Sequence, residues 1–220
     1  MIIPTLNAAA TLPAAIASLD GAPDVVATDI VVVDGGSRDA TVALAQASGA
    51  RVLAASPGRG GQLAAGVAAA GGDWLLLLHA DTRLAPGWRA QAADFMARGP
   101  GRAGYFRFTL DSPDPRARRL ERMVAWRCRA LGLPYGDQGL LIARTLLGHV
   151  GGVRPLPLME DVDLARRLGR ARLRPIACDA LTSAARWERD GWLRRSARNL
   201  GCLALWRAGL PPQLIARLYR

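Results

Sequence analysis

The sequence predicts an α/β fold: a mostly parallel central sheet flanked by helices and continued by a helical C-terminal extension. Three observations carry this expectation. Short apolar runs alternate four times with helical patterns over the first hundred residues, the rhythm of strands joined by crossover helices. Two of the runs, residues 29–33 (DIVVV) and 73–78 (DWLLLL), are continuously apolar after their leading Asp, as strands covered on both faces are. Residues 191–207 and 211–220 repeat apolar positions at helical spacing.

Element by element, residues 1–3 form a strand stub ended by Pro4, so the first strand is unusually short or the chain starts upstream. Residues 11–19 put Leu12, Ile16 and Leu19 on one helical face. After the 29–33 strand come a helix over 39–48, a short strand over 51–53, an Ala-rich helix over 61–70 and the 73–78 strand. A helix follows Pro86 to about Arg98, and residues 104–110 alternate as a half-buried strand should. Residues 114–131 make a basic helix with six arginines. Two acidic segments follow, at 136–139 and 160–163, the second opening a helix toward Leu168. In the 191–207 helix, Trp192, Leu193, Leu200 and Leu203 are expected opposite Arg194, Arg195 and Arg198. One domain over 1–190 with an amphipathic helical extension over 191–220 is the economical division.

Composition narrows the chemistry. All 29 basic residues are arginine, and the formal charge is +11. Without lysine there is no Walker-type phosphate loop, Schiff base or kinase strand lysine. With only His79 and His149, a multi-histidine zinc site is excluded as well. Residues 1–100 carry six Arg against eight Asp, whereas residues 101–220 carry 23 Arg against ten acids. The second half therefore suits anions, although codon bias filling solvated positions with Arg explains the count equally well. Cys128, Cys178 and Cys202 lack metal-ligand spacing and read as reduced thiols, which together with the missing signal peptide points to the cytoplasm.

Acidic residues gather where strands end. Asp34 closes the second strand in residues 32–41 (VVDGGSRDAT), and Asp81 follows the 73–78 strand in residues 77–82 (LLHADT). In a parallel sheet that edge faces the ligand crevice, where a carboxylate accepts hydrogen bonds from a base or ribose or holds a divalent cation. Alone, Asp34-Gly35-Gly36-Ser37 reads just as well as a turn before a helix cap. Arg59 stands in a Gly-rich stretch before a helix, a place that sets backbone N–H groups and a guanidinium near phosphate. Glu160 and Asp161 suit a helix N-terminus on charge alone. In contact with Asp163, they would also push one carboxyl pKa upward, as a base requires.

Taken in order, residues 3–7 (IPTLN), 32–41, 77–82 and 159–163 (MEDVD) resemble the signature of family 2 glycosyltransferases of the GT-A fold, over about residues 1–190. Gly58-Arg59-Gly60-Gly61-Gln62 and Gly136-Asp137-Gln138-Gly139 are most similar to a bacterial branch associated with radical-SAM and selenium-domain genes. The resemblance implies a nucleotide-binding half over 1–100 and an acceptor half over 101–190. It places Pro4, Thr5, Asn7 and Gly36 beside the nucleotide, with Asp34 accepting the imide N–H of a uracil-type base. Asp81 matches the last acid of the DxD motif, which holds Mg²⁺ or Mn²⁺ against the diphosphate. His79 stands where the first acid is usual, and is expected to touch ribose or phosphate. Asp161, with Glu160 beside it, matches the general base of inverting members. Asp137 and Gln138 are expected at acceptor hydroxyls, with an ordinary turn as the alternative. Arg186 and Trp187 match an element in which Trp floors the acceptor site and Arg grips diphosphate, and they read otherwise as a surface Arg beside a core Trp.

The implied reaction is inverting transfer of a sugar from a nucleotide-diphosphate donor to an acceptor hydroxyl. The Arg-rich half favours a phosphorylated or lipid-linked acceptor and peripheral contact with the inner face of the cytoplasmic membrane over nucleic acid. Two other readings stand beside it. One is nucleotidyl transfer on a similar sheet, and the other is an Arg-rich module that binds nucleic acid or anionic surfaces.

Overall fold

A computed structural model describes residues 1–20 and 29–219. Its strands are β1 Ile2–Thr5, β2 Val31–Asp34, β3 Arg51–Ala54, β4 Trp74–Leu77, β5 Thr82–Leu84, β6 Ala103–Leu110, β7 Leu140–Ala143 and β8 Leu173–Thr182. They form one sheet in the order β3-β2-β1-β4-β7-β6-β8-β5. Pairs β1–β2, β1–β4, β2–β3 and β6–β8 are parallel, whereas β4–β7, β6–β7 and β5–β8 are antiparallel. The predicted mostly parallel α/β architecture is therefore present. In the parallel half, strand order reverses between β1 and β4, which opens a crevice at their carboxyl ends.

The two continuous apolar runs are covered on both faces. Ile2, Val31, Val33, Leu75 and Leu77 face one core, and Ile3, Val32, Leu76 and Leu78 face the other, as alternate residues of a strand must. Helices α1 Leu12–Ala17, α2 Thr41–Ala47 and α4 Trp88–Ala97 cover the second face. Helices α3 Arg59–Ala69, α5 Pro115–Leu131, α6 Arg144–His149, α7 Glu160–Leu168, α8 Ala185–Asp190 and α9 Trp192–Arg207 cover the first. Helix α10 Pro212–Tyr219 packs on α9 through Ile215. Arg220 of the basic tail lies outside the described residues. Among the described residues, no helix is long and apolar enough to cross a membrane. The three cysteines are buried and unpaired.

Three expectations are corrected. Pro4 does not end the first strand: β1 continues through it to Thr5, in register with Val33 and Asp34 of β2. Strand β6 is not half-buried: it lies between β7 and β8, and a bulge at Tyr105–Arg107 switches its phase. Tyr105 and Phe108 therefore face one core, Phe106 faces the other, and Arg107 alone on the strand is exposed. Helix α9 is rotated from the expected orientation. Trp192, Arg195 and Cys202 are buried while Leu193 is 87% exposed. Arg195 is accommodated because its Nη1 donates to Asp190 Oδ2 at 2.8 Å. Its guanidinium also lies 5.2 Å from the Trp187 ring centre.

Candidate active site

The sequence-predicted residues fall into two clusters at the carboxyl edge of the sheet. The first joins the ends of β1 and β2. Thr5 Oγ1 donates to Asp34 Oδ1 at 3.0 Å, and the backbone N–H groups of Gly36 and Ser37 donate to Asp34 Oδ2 at 2.9 and 2.8 Å. Burial pulls the Asp34 pKa upward. The hydrogen bonds from Ser37, Thr5 and Gly36 outweigh it and hold the carboxyl below its usual range. Gly36 has φ +89°, a left-handed conformation that lets the loop fold over the carboxylate. Asn7, also left-handed at φ 51°, accepts the Arg38 N–H on Oδ1 at 2.9 Å and donates its own N–H to Ser37 Oγ at 2.8 Å. Pro4 is buried within β1.

The second cluster surrounds a cavity of about 100 Å³, whose walls include Arg59, His79, Asp81, Asp137, Asp161 and Arg186. These residues come from five segments of the chain, His79 and Asp81 sharing one turn. Asp81 lies in the turn between β4 and β5, where Thr82 N–H donates to His79 O at 3.2 Å. The Asp81 side chain is 22% exposed, and its Oδ2 lies 3.9 Å from Arg186 Nη2. His79 is pushed down to about pH 4 by burial first and by Arg59 second, so the imidazole is neutral at pH 7. Gly136 makes room for it, since a Cβ there would stand 2.3 Å from His79 Nε2.

Asp161 opens α7 after Met159, which takes a left-handed φ of 67°. Its Oδ2 accepts the Gly136 N–H at 2.9 Å and its Oδ1 accepts the Val162 N–H at 2.8 Å, which fixes the carboxylate. The raised pKa expected among these acids falls on its neighbour. Glu160 is pushed up to about 7 by burial, against the pull of Arg59, whose Nε lies 3.0 Å from Oε1. Arg59 is 36% exposed, so water screens much of its charge, whereas Glu160 is 1% exposed. Asp163 turns away to pair with Arg154 at 3.0 Å and Arg167 at 2.7 Å and contributes nothing to the cavity.

Asp137 and Gln138 sit in the 3₁₀ turn Gly136–Gln138 and divide their roles. Asp137 is pushed up to about 6, chiefly by burial, and its Oδ1 is buried without a hydrogen-bond partner among the described residues. Gln138 faces the interior. Its Nε2 donates to Phe106 O at 3.1 Å, and its Oε1 accepts from Tyr135 N at 3.2 Å and Arg127 Nη2 at 3.3 Å. It braces the turn and leaves Asp137 as the member facing the cavity. Trp187 is 8% exposed, tilted against Phe108, and also borders the cavity.

The Gly58–Gln62 stretch links the two clusters. Gln62, 3% exposed, donates through Nε2 to Thr5 O at 2.8 Å and Val33 O at 2.7 Å, while Arg59 three residues earlier reaches the cavity. Gly60 lets the start of α3 approach residues 154–156 closely: a Cβ there would meet Arg154 O at 2.4 Å and the Leu156 backbone at 2.5 Å. Sequence reasoning missed Tyr135, Thr182, Arg195 and Asn199, which also border the cavity. Arg195 and Asn199 stand three and seven residues after Trp192, so the correct inward face of α9 would have revealed them.

The family model described as glycosyl transferase family 2 matches residues 1–151. No functionally curated sequence matches the chain. Among solved structures, glucosyl-3-phosphoglycerate synthase from Mycobacterium tuberculosis with Mn²⁺ and UDP-glucose aligns with a TM-score of 0.63 at 21% identity, covering 96% of this chain and 78% of that one. The same synthase with Mn²⁺, UDP and glucosyl-3-phosphoglycerate aligns with a TM-score of 0.61 at 22% identity, covering 96% and 79%. S. aureus TarS aligns with a TM-score of 0.62 at 15% identity, over 83% of this chain and 36% of that one. At these identities the structural likeness establishes the GT-A type of fold. The sequence match over residues 1–151, more than half of the chain, establishes the family: this protein belongs to glycosyl transferase family 2.

Proposed function

We propose that the protein transfers a sugar from a nucleotide-diphosphate donor to an acceptor hydroxyl with inversion at the anomeric carbon. One observation carries this reading: Asp81, at the end of β4, shares a cavity with Asp161 and with the cations Arg59 and Arg186. A phosphate-binding edge and a fixed carboxylate base thus face each other across one small space. Arg59 of the Gly58–Gln62 segment and Asp137 of the Gly136–Gly139 segment both line it, so the two segments that resemble the radical-SAM and selenium-domain branch belong to the proposed site.

The residues present fit a divalent ion. Among the described residues, no three His, Cys, Asp or Glu side chains converge into an all-protein cage. Mg²⁺ in nucleotide sites typically takes one or two carboxylates together with phosphate oxygens and water, and Mn²⁺ accepts the same oxygen ligands. Asp81 supplies such a carboxylate, and the orphaned Asp137 Oδ1 borders the same cavity. An ion held there would supply Lewis-acid stabilisation of the leaving group.

The chain's own residues do the rest. Asp34, kept ionised by its loop, accepts the imide N–H of the base, and Asn7 borders the ribose. Arg59 and Arg186 neutralise diphosphate charge, while neutral His79 offers a hydrogen bond without adding charge. Asp161, fixed by two backbone N–H groups, takes the acceptor proton on the side away from the leaving group. Trp187 and Asp137 border the acceptor. The mycobacterial synthase crystallised with UDP-glucose and phosphoglyceric acid supports a nucleotide-sugar donor and a phosphorylated acceptor. Incubation with UDP-sugars and Mn²⁺ tests the reading: slow donor hydrolysis releasing UDP supports it. Pyrophosphate release from a nucleoside triphosphate and sugar phosphate supports nucleotidyl transfer instead.

A further inference from the structure

A second, larger cavity of about 530 Å³ adjoins the first. That volume falls within the usual range of small-molecule sites, roughly 300–1,000 Å³. It is a groove between α5 and α9, walled by Leu120, Met123 and Trp126 on one side and Leu200 and Leu203 on the other. Met123, Trp126 and Leu200 are 57, 60 and 57% exposed. Single exposed apolar residues are ordinary, but a contiguous set around a cavity marks a binding surface.

Two features say what covers it. The groove runs into the candidate catalytic cavity, with Tyr135, Asp137, Trp187 and Asn199 bordering both. Arg127 stacks over the Tyr135 ring at 3.4 Å and marks that inner end. Farther along α5, Arg119 and Arg122 border the groove with exposed side chains. The eight steps from Arg119 to Arg127 span about 12 Å of helix. An apolar trough with a cationic outer rim thus leads directly to the proposed base.

We infer that this groove holds the apolar chain of an amphiphilic, anionic acceptor. The chain lies between α5 and α9, the anionic group meets Arg119 and Arg122, and the hydroxyl end reaches Asp137 and Asp161. This rests on the transferase reading of the neighbouring cavity and names the acceptor class that reading leaves open. A small polar acceptor would leave the trough wet and its apolar walls unused, whereas an alkyl or isoprenoid-like chain removes them from water.

Ethyl, octyl and dodecyl phosphate, each below its micelle concentration, test this by calorimetric titration of the full chain, with the part of the tryptophan fluorescence change that Trp126→Phe removes reporting on the groove. Affinity is expected to rise roughly three- to four-fold per added methylene until the groove is filled. Dodecanol should bind about ten-fold more weakly than dodecyl phosphate, and Arg119→Gln with Arg122→Gln should remove that difference. Leu200→Glu, at an exposed position, should flatten the chain-length series. Affinity independent of chain length in the unaltered protein, or a series that survives Leu200→Glu, overturns the inference. Binding only to vesicles of anionic phospholipid and never to monomeric alkyl phosphate overturns it in favour of a membrane-surface role. A dimer that seals the groove against dodecyl phosphate does the same in favour of self-association. UDP-sugar binding is measured separately on the unaltered protein. Its absence defeats the transferase reading and leaves the alkyl phosphate series to be judged by itself.

Discussion

The carboxylate of Asp161 accepts the backbone N–H of Gly136 at 2.9 Å, tying the first turn of α7 to the turn that carries Asp137. The bond holds the proposed base against the cavity wall, and the single oxygen of an asparagine can keep it while giving up the Val162 N–H on the other side. Asp161→Asn is therefore expected to keep donor affinity within about two-fold while lowering kcat by roughly 10²–10⁴. Initial-rate kinetics with donor titration on the same variant measure both. Unchanged turnover would remove Asp161 from the base role.

Gly136 is where the turn and the β4 edge come closest. A methyl group would lie 2.3 Å from His79 Nε2, so Gly136→Ala must displace the imidazole. A loss of about 1–3 kcal/mol in denaturant unfolding is expected, as for other overpacked sites. His79→Ala in the same chain should recover most of it, and this coupling would locate the clash.

Glu160 makes stability depend on pH in a particular direction. Its pKa rises from 4.5 to about 7 on folding, through burial, so the folded chain binds a proton more tightly than the unfolded one. The stabilisation is complete below about pH 4.5 and is lost as pH rises through about 7. Glu160→Gln, neutral throughout, should remove this part of the slope, roughly 2–3 kcal/mol between pH 5 and 8. Thermal melts across that range, compared between the two proteins, provide the check.

The first half of the fold was legible because its strands are continuous and β-branched or leucine-rich. Residues 31–34 and 74–77 announce burial on both faces, and the carboxylates that end or follow them point to the crevice. Strand β8 was not legible: Ile176, Cys178 and Ala180 alternate toward one core while Leu173 faces the other, Pro175 interrupts the run, and small residues weaken its apolar signal. Helix α9 was read with the wrong face inward because hydropathy favours burying Leu193 over Arg195. Asp190, five residues earlier at the end of α8, reverses that order through an ion pair that apolar periodicity does not register. Gln138 was placed at the acceptor by its neighbours, whereas Phe106, Tyr135 and Arg127 claim its amide in the fold. Asp81, Asp137 and Asp161 are 24 to 80 residues apart in sequence, and only the ordered motifs hinted that they converge.

The central claim is a donor site that depends on Asp81, and calorimetric titration of UDP-glucose and related nucleotide sugars with and without Mn²⁺ tests it most directly. The protein should bind at least one donor saturably in the presence of Mn²⁺ and at least ten-fold more weakly in its absence, and Asp81→Asn should lose the Mn²⁺-dependent part. Equal binding by Asp81→Asn, or donor binding indifferent to Mn²⁺, would contradict it.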